Sequence, residues 1–539
     1  MRVSFFLCKF ANRIKNESTM VKYPVGIQSF EKLRTSGFLY VDKTRLMYDA
    51  AQNNFVFLSR PRRFGKSLLI STFKAYFSGQ KELFKGLEVE QLETEWKQYP
   101  VLHFSLASAK RGTIEDLDAI ISMQLDWAEK ENDVSTDKTN ITTRMTSLVK
   151  NIYAKTGNKV VILIDEYDAP LLTVLHDKER LEIMRTELQS FYSPLKDLDP
   201  YLRFVFITGI SKFPQLSIFS QLNNLVNISM APHYATICGI TEQELRDNFA
   251  EGIHQLSLTY KTTDEKIFAE MKRRYDGYHF TENSEGVYNP FCLLYAITMD
   301  KIDNYWFGTG TPTFLINMLK KFHTDITQLE GSEAIAEEFD APTEDMHSVL
   351  PLFYQSGYLT IKAYDPILNL YTLGYPNEEV KVGMMRTLVP YYLCRDTNLT
   401  TITVGKMYLA LRKDNIDEAL RIARSFLAGI PYEEGTLKDA PAREGHFTAM
   451  LYVMFSFLNL YVYAQVRTAK GRMDILLKTD SHIYVMELKM DGNVDDALKQ
   501  IDDRGYAIPY EADGRKIVKV GINFSSEERT INDWKIVEL

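Results

Sequence analysis

Short apolar runs bounded by polar residues recur along the first part of the chain and predict buried strands. The clearest are Phe55–Leu58, Val160–Ile164 and the run that begins at Leu202, and the mixed stretch Val101–Leu106 predicts a further strand. Consecutive apolar residues of this length are typical of strands buried on both faces, as in a parallel sheet. Amphipathic stretches such as Ile114–Glu131 separate the runs and predict helices. Strands alternating with helices predict a doubly wound α/β sheet of the kind that binds nucleotides.

The later pattern is different. Residues 240–335 are mostly helical by pattern and predict a small lid over the nucleotide. A predicted helix, Met346–Gln355, then leads into two alternating strands, Gly357–Lys362 and Leu370–Gly374, which indicate a winged-helix-like module. Such modules bind DNA or only pack on a lid, and the scarcity of basic residues here favours packing. Two further runs, Gly471–Lys478 and His482–Lys489, flank a polar turn and predict a hairpin.

The chain of 539 residues is too long for a single core, because domains usually hold about 100–200 residues. We expect an α/β protein with a parallel nucleotide-binding sheet, a helical lid, a winged-helix-like segment and a C-terminal α/β domain. The expected boundaries are 1–20 for a disordered or spurious extension before Met20, 21–238 for the core with the parallel sheet, 239–340 for the lid, 341–440 for the winged-helix-like and helical linker, and 441–539 for the last domain.

Composition excludes some classes of function. Hydrophobic residues make up 45% and charged residues 25%, and the formal net charge is −8, so a protein coated in basic surface is excluded. Four scattered cysteines, with no CxxC pair, argue against a zinc cage or a disulfide framework and favour the cytoplasm. No apolar run reaches the length of about 18 residues that predicts a membrane span, so no membrane partner is expected.

The loop between the first strand and the helix after it carries the first candidate chemistry. Gly65, Lys66 and Ser67 fit the end of a GxxxxGK[ST] phosphate loop, but Arg60 stands at the position of its first glycine. In such a loop, backbone N–H groups face the phosphates, the lysine reaches the terminal ones and the hydroxyl binds Mg²⁺. On its own, this imperfect match leaves a nucleotide site and a basic turn as equal alternatives.

An acidic pair ends the strand Val160–Ile164 and supports the nucleotide site. Asp165 and Glu166 lie where open α/β sheets place their ligands. Asp165 would hold the Mg²⁺ shell and Glu166 would polarise the attacking water. Two exposed acids ending a strand are the alternative, which the preceding Gly-Lys-Ser loop disfavours. The next strand ends in hydroxyls, which makes Thr208 or Ser211 a candidate sensor of the γ-phosphate.

The C-terminal hairpin predicts a second site. Residues two apart on a strand share a face, so Glu487 and Lys489 project together while Leu488 enters the core. If the hairpin places Asp474 beside them, two carboxylates and an ammonium share one face. The carboxylates would bind Mg²⁺, and Lys489 would orient a water or steady the developing charge on a phosphodiester.

Several motifs together resemble the bacterial AAA-ATPase-like family, whose members join a P-loop ATPase domain to a C-terminal nuclease-type domain. The resemblance covers nearly the whole chain after residue 20. In that family the first position of the loop is usually arginine, so Arg60 is not a sign of decay. The motifs are Tyr40–Thr44, Arg60–Ser67, Ile164–Asp168, Thr208–Lys212, Gly239–Glu242, Tyr275–Phe280, Tyr288–Pro290 and Trp306–Gly310.

The resemblance implies ATP and Mg²⁺ as cofactors. The set expected to bind nucleotide is Arg60, Arg63, Phe64, Gly65, Lys66, Ser67, Asp165 and Thr208. Ser67 and Asp165 are the expected Mg²⁺ ligands there, and Glu166 is the expected catalytic residue. At least one arginine at the loop entrance is expected to contact the nucleotide directly.

The last domain resembles the PD-(D/E)XK nuclease superfamily, which implies a C-terminal α/β fold like that of restriction endonucleases, next to the P-loop NTPase fold that the first resemblance implies for the ATPase core. Asp474, Glu487 and Lys489 match its core, and Asp474 and Glu487 are the expected metal ligands. Glu444 on the preceding helix matches an additional acidic position, and Gln500 matches the helix that follows the core. The expected partner is nucleic acid, with DNA favoured over RNA.

Two functions stay open on the sequence. One is an ATPase that controls a Mg²⁺-dependent nuclease, and the other is an ATP-switched module that binds nucleic acid or protein without cleaving it. Oligomeric state, the arginine finger, target sequence and biological pathway stay undetermined.

Overall fold

This computed structural model describes residues 21–109, 111–175, 177–211, 224–306, 318–319, 322, 324–340, 348–393, 397–429, 444–456, 461–468 and 470–539. The predicted extension 1–20 lies outside them. The chain divides into two compact units. The first is the chain up to Tyr305 with Ala336–Met346 and Gln355–Gly357, and the second consists of Trp306–Ile335, His347–Tyr354 and Tyr358–Leu539.

A five-stranded parallel sheet forms the centre of the first unit, as predicted. Its order is β2-β3-β4-β1-β5, with β4 between the loop strand and the acidic strand. Every residue of β1 and β3 is buried, which explains their uninterrupted apolar sequence. The strands are β1 (Phe55–Ser59), β2 (Val101–Ser105), β3 (Val160–Asp165), β4 (Leu202–Gly209) and β5 (Val226–Asn227).

Helices connect these strands and cover the sheet. On α3, the ring of Phe73 packs 5.1 Å from Phe204 and 4.8 Å from Phe206 of β4, which fixes the helix after the loop against the sheet. The helices are α1 (Phe30–Thr35), α2 (Thr44–Ala50), α3 (Lys66–Phe77), α4 (Val89–Leu92), α5 (Ile114–Asn132), α6 (Ile141–Thr156), α7 (Ala169–Val174), α8 (Lys178–Tyr192) and α9 (Pro194–Asp197), with 3₁₀ turns at Lys81–Phe84, Asp199–Tyr201 and Pro232–Tyr234.

The described part of the predicted lid is helical. It contains α10 (Glu242–Tyr260), α11 (Asp264–Tyr275) and α12 (Pro290–Thr298). Thr241 and Glu244 close a capping box at the start of α10, and Glu244 also pairs with Lys43, 2.5 Å away, from the segment before α2. Within the range expected for the lid, the strand Ser332–Ile335 pairs in the second unit, whereas Ala336–Met346 belongs to the first. The expected domain boundaries stay predictions.

The second unit contains a three-stranded antiparallel sheet. Its order is β6-β8-β7, so the predicted hairpin is present with its first strand shifted to begin at Thr360. The winged-helix interpretation itself stays a prediction, and the start of its helix at Met346 lies outside the described residues. The elements are β6 (Ser332–Ile335), α13 (Leu350–Ser356), β7 (Thr360–Asp365), β8 (Leu370–Gly374), α14 (Glu378–Leu393), α15 (Thr397–Leu411) and α16 (Ile416–Ala428), with 3₁₀ turns at Ile326–Gln328 and Ala336–Asp340, the latter in the first unit.

A five-stranded mixed sheet completes the second unit. Its order is β13-β12-β11-β10-β9, with β11 and β12 parallel and the other neighbours antiparallel. The predicted hairpin of β10 and β11 is confirmed. The elements are α17 (Glu444–Ser456), β9 (Tyr461–Thr468), β10 (Gly471–Lys478), β11 (His482–Met490), α18 (Val494–Arg504), the 3₁₀ turn Ile508–Tyr510, β12 (Lys516–Ser525) and β13 (Thr530–Glu538).

Helix α18 packs closely on this sheet at one glycine. A side chain at Gly521 of β12 would lie 2.5 Å from the carbonyl oxygen of Val494, so only glycine fits beneath the helix. This close approach places the following turns of α18, which carry Gln500, over the neighbouring strand β11. No helix among the described residues combines the length and apolar character needed to cross a bilayer.

Candidate nucleotide site and candidate nuclease site

The phosphate loop closes around its own lysine. Helix α3 begins at Lys66, and its N-cap Gly65 has a left-handed backbone (φ 93°) that other residues rarely adopt. The Lys66 ammonium donates to the carbonyl oxygens of Arg60 at 2.8 Å and of Pro61 at 2.9 Å. Burial lowers the pKa of Lys66, and the nearby carboxylates of Asp165 and Asp168 act against that shift.

The two predicted Mg²⁺ ligands of the first site meet directly. The Ser67 hydroxyl, on the first turn of α3, donates to Oδ2 of Asp165 at 2.6 Å. Asp165 ends β3 and is buried, although β4 separates its strand from β1. The sheet order therefore brings together two residues that are about a hundred positions apart in sequence.

Glu166 follows Asp165 in a strained backbone conformation. Its φ of 51° lies in the left-handed region, and its N–H donates to Oδ1 of Asp165 at 3.0 Å. A non-glycine residue held in this region costs about 1–3 kcal/mol and occurs preferentially at functional sites. The turn directs the chain away from the strand and leaves Glu166 partly exposed beside the buried Asp165.

A buried carboxylate, Asp168, braces this turn and was not predicted. It is fully buried and accepts hydrogen bonds from the backbone of Ile210 (3.0 Å) and Ser211 (2.7 Å) and from the Ser211 hydroxyl (2.6 Å). A side chain at Gly209 would lie 2.4 Å from Oδ1 of Asp168, so glycine is required there. The motif Ile164–Asp168 contained this residue, but its partners are recognisable only once β3 and β4 are neighbours.

The loop-entrance residues lie among protein groups. The Arg60 guanidinium is 1% exposed, donates to the carbonyl oxygens of Ser59, Ser229 and Tyr234 at 2.7–2.9 Å, and stacks 4.1 Å from the Phe280 ring. This arrangement favours holding the loop over a direct nucleotide contact.

Arg63 and Phe64, the other two entrance residues expected to bind nucleotide, contact the segment predicted to form the lid. The Arg63 guanidinium lies 3.8 Å from the ring of Phe291, and the buried Phe64 ring packs against Tyr278 at 4.7 Å. Both stay predictions as nucleotide contacts.

The two candidate γ-phosphate sensors already have protein partners. The fully buried Thr208 hydroxyl donates to the Leu58 carbonyl oxygen of β1 at 2.7 Å, and the Ser211 hydroxyl is bound to Asp168. Thr208 therefore joins β4 to β1 just before the loop. Its role as a sensor stays a prediction.

The second site gathers four of its predicted residues on one face of the C-terminal sheet. Asp474 of β10 lies beside Glu487 of β11, and its Oδ2 accepts the backbone N–H of Leu488 at 2.9 Å. The Lys489 ammonium lies 3.4 Å from Oε1 of Glu487 and donates to Oε1 of Gln500 at 2.8 Å. The Gln500 amide in turn donates to Glu487.

Glu487 is the most perturbed group of this cluster. It is 2% exposed, and its Oε2 is buried without a hydrogen-bond partner among the described residues. Burial, together with the neighbouring Asp474 carboxylate, raises the pKa of Glu487 to about 8, and Lys489 only partly offsets this shift. Two neighbouring carboxylates and one ammonium leave this site with less positive than negative charge.

Two further residues complete the description of this site. The Gln465 amide donates to Oδ1 of Asp474 at 3.0 Å from β9, where the Gln465 backbone has a φ of 51°. No pattern in the sequence indicates Gln465, since its place opposite Asp474 depends on the pairing of β9 with β10. Helix α17 begins at Glu444, whose side chain lies outside the described residues.

Both clusters fit Mg²⁺. The first offers a hydroxyl and a carboxylate, and the second offers two carboxylates, one with an oxygen that lacks a partner. Magnesium usually takes one or two carboxylates together with waters and substrate oxygens. Among the described residues no group of three His, Cys, Asp or Glu side chains gathers as a metal cage.

Comparison with known proteins agrees with this arrangement. An uncharacterized protein in the vnfD 5′ region of Azotobacter chroococcum mcd 1 is 33% identical over 527 residues, which cover 96% of this chain and 99% of that protein. Residues 24–219 match the AAA-ATPase-like family model, described as a predicted AAA-ATPase. The chain belongs to this AAA-ATPase-like family.

The C-terminal comparison adds the second domain. Residues 442–534 of this AAA-ATPase-like protein match the PD-(D/E)XK nuclease superfamily. The match includes Asp474, Glu487, Lys489 and Gln500. The chain therefore joins an ATPase-like domain to a nuclease-fold domain, as the resemblance implied.

Proposed function

We propose that this protein hydrolyses ATP with Mg²⁺ at the phosphate loop and thereby controls a Mg²⁺-dependent nuclease site that acts on nucleic acid, DNA in preference to RNA. The observation that carries the nuclease half is the pair of buried carboxylates of Asp474 and Glu487 beside the partly exposed Lys489, with one Glu487 oxygen that lacks a partner among the described residues. For the ATPase half, it is the contact of Ser67 with Asp165 beside the buried Lys66.

At the first site, Ser67 and Asp165 would hold Mg²⁺. When bound, the ion neutralises phosphate charge and orients the substrate. Lys66 exchanges its bonds to two loop carbonyls for bonds to phosphate oxygens, which places its charge where negative charge develops. Glu166 accepts a hydrogen bond from the attacking water and orients it. The Asp168 and Arg60 contacts keep these groups in place.

At the second site, Asp474 and Glu487 would hold Mg²⁺, which when bound lowers the pKa of a water and polarises the phosphodiester. Lys489 donates to the water or to the developing oxyanion, and Gln500 fixes the position of the ammonium. Gln465 holds Asp474 in orientation. Glu444 stays a candidate for an additional acidic group.

The nuclease half is tested by incubating the purified chain with Mg²⁺, ATP and single- and double-stranded DNA and RNA. Lys489→Ala should reduce cleavage at least about a hundredfold, because a positioned acid–base or charge-stabilising group contributes about 10²–10⁴. Lys499→Ala, an exposed lysine on the same helix as Gln500, is the matched control and should cleave normally. Undiminished cleavage by Lys489→Ala would contradict the nuclease assignment.

The ATPase half is tested by ATP binding and phosphate release. Lys66→Ala should lose both, whereas Lys74→Ala, an exposed lysine on the same helix α3, should retain both. Persistent ATP binding in Lys66→Ala would show that the loop assignment is wrong.

A binding module that does not cleave is the second candidate. It predicts ATP-dependent binding of nucleic acid or protein that survives Asp474→Ala, with no cleavage in the unsubstituted chain.

A further inference from the structure

A cleft of about 630 Å³ lies within the second unit beside the Asp474 cluster. Its walls include β6 and β8 of the small sheet on one side and β9 of the large sheet on the other. Its volume falls within the range of about 300–1,000 Å³ that is typical of small-molecule sites. The cleft is therefore large enough for a nucleotide.

Gln465 connects the cleft to the catalytic face. It lines the cleft, and its amide donates to Oδ1 of Asp474 at 3.0 Å. Arg472 also lines the cleft, two residues before Asp474 on β10, and is exposed. Among the described residues its guanidinium makes no ion pair or hydrogen bond. A nucleic-acid strand that enters the Asp474 site would therefore contact the Arg472 guanidinium first and the open cleft next.

The rest of the lining mixes apolar side chains with polar acceptors, and Lys362 adds one ammonium, which donates to the Pro376 carbonyl oxygen at 3.3 Å. Glu330 accepts from the backbone of Tyr375 at 3.2 Å, and both carboxylate oxygens of Asp325 bond to the turn that they cap. Strands β6 and β9 are each at the edge of their sheets, so one side of each strand offers backbone donors and acceptors that no ladder uses. Tyr463 adds an aromatic ring.

This distribution suits a nucleotide with its phosphate at Arg472 and its base inside. Guanidinium groups bind phosphate strongly, and unpaired bases bind by stacking on aromatic rings and by hydrogen bonds along their edges. Away from Arg472, three carboxylates against the single ammonium of Lys362 disfavour a phosphate deep in the cleft and favour the exocyclic amino groups of a base. A paired base cannot offer its edge in this way.

We propose that this cleft binds an unpaired nucleotide adjacent to the phosphodiester at the Asp474 cluster, so that the protein selects single-stranded or locally opened nucleic acid. The inference rests on the proposed nuclease function, because the neighbouring site is what brings a polynucleotide here. DNA and RNA share the required chemistry.

Binding is measured with the full chain carrying Lys489→Ala, which prevents cleavage, and a fluorescein-labelled 12-nucleotide single strand of DNA or RNA. Adding Arg472→Ala should weaken binding about tenfold, since a charged hydrogen bond contributes about one such factor. Thr372→Trp, which fills the cleft from β8, should weaken it by a similar factor. Arg421→Ala, whose charge pairs with Asp417 at 2.8 Å on α16, should leave binding unchanged.

Cross-linking to the protein that carries only Lys489→Ala gives a second measurement, which does not depend on whether the cleft variants fold. A single strand carrying one 5-iodouracil, irradiated on the same protein, should form an adduct on a peptide containing Tyr463. Unchanged affinity in both cleft variants, or adducts found only elsewhere, would overturn the inference. Equal affinity for a blunt duplex of the same sequence would overturn it as well.

The two proposals fail separately. If the unsubstituted chain does not cleave but the single strand binds and cross-links at Tyr463, the nuclease function fails and the cleft assignment stands. If the chain cleaves while Arg472→Ala and Thr372→Trp bind normally, the nuclease function stands and the cleft assignment fails.

Discussion

The buried Lys66 and Asp168 side chains beside the phosphate loop have protein partners, whereas Glu487 of the Asp474 cluster has a buried oxygen with no partner among the described residues. In the first unit, Lys66 bonds to two carbonyls, Ser67 to Asp165, and Asp168 to the end of β4. In the second unit, Glu487 keeps one buried oxygen without a partner beside another carboxylate.

This difference has an energetic consequence. Removing one partner from a satisfied network leaves buried groups unpaired and destabilises the protein. Replacing a poorly compensated buried charge with a neutral group of similar shape can instead stabilise it. Substitutions in the two units should therefore change stability with opposite signs.

The largest effect is expected for Asp168→Ala. This substitution leaves the buried backbone N–H groups of Ile210 and Ser211 without a hydrogen-bond acceptor, which should lower the free energy of unfolding by about 3 kcal/mol. Thermal unfolding of the full chain should show a clear drop in Tm. Glu166→Gln is the matched control, since this partly exposed neighbour should lose ATP hydrolysis while keeping its Tm. Equal Tm values in both variants would contradict the conclusion that Asp168 stabilises the turn after β3.

The next effect concerns the loop entrance. Arg60→Gly restores the residue usual in a GxxxxGK[ST] loop but removes the bonds to three carbonyls, so a loss of about 2 kcal/mol and about tenfold weaker ATP binding are expected. Arg62→Gly, at an exposed position in the same loop, should change neither. Tighter ATP binding in Arg60→Gly would mean that arginine is a defect here.

Glu487→Gln should have the opposite sign. Without metal it removes a buried group that resists ionisation, so stability at pH 8 and above should rise by about 1 kcal/mol, while stabilisation by Mg²⁺ should be lost. Urea unfolding with and without Mg²⁺ measures both. Destabilisation without metal at this pH would show that the carboxylate is better compensated than its surroundings indicate.

The smallest effect is a pH dependence from the same group. The raised pKa of Glu487 means that its stabilising contribution is complete below its ordinary pKa of 4.5 and is lost as the pH rises through about 8. Mg²⁺ binding to this site near pH 7 should therefore release up to about one proton, and its affinity should increase toward pH 8. Calorimetry in two buffers of different ionisation enthalpy measures the release. Glu487→Gln should abolish it, and an unchanged release would assign the proton to another group.

Much of this architecture could be predicted from the sequence. The apolar runs ending at Leu58 and Ile164 became β1 and β3, because strands buried on both faces need uninterrupted apolar residues. The hairpin of Asp474 and Glu487 followed from two runs around a polar turn. In each case the signal is local in sequence.

The remaining features depend on contacts between distant segments. Asp168 is a brace only because β4 lies beside β3, and Gln465 reaches Asp474 only because β9 pairs with β10. The sequence predicts that Arg60 contacts phosphate. Two of its three carbonyl partners, however, belong to residues about 170 positions away. No local pattern encodes such partners.

The central claim is that the ATPase site controls the nuclease site. It is tested most directly by measuring cleavage of single-stranded DNA with Mg²⁺, with and without ATP, in the unsubstituted chain and in Lys66→Ala. The account predicts that ATP changes the cleavage rate of the unsubstituted chain and leaves that of Lys66→Ala unchanged. Cleavage that is lost in Lys489→Ala but is equal with and without ATP would contradict control by the phosphate loop.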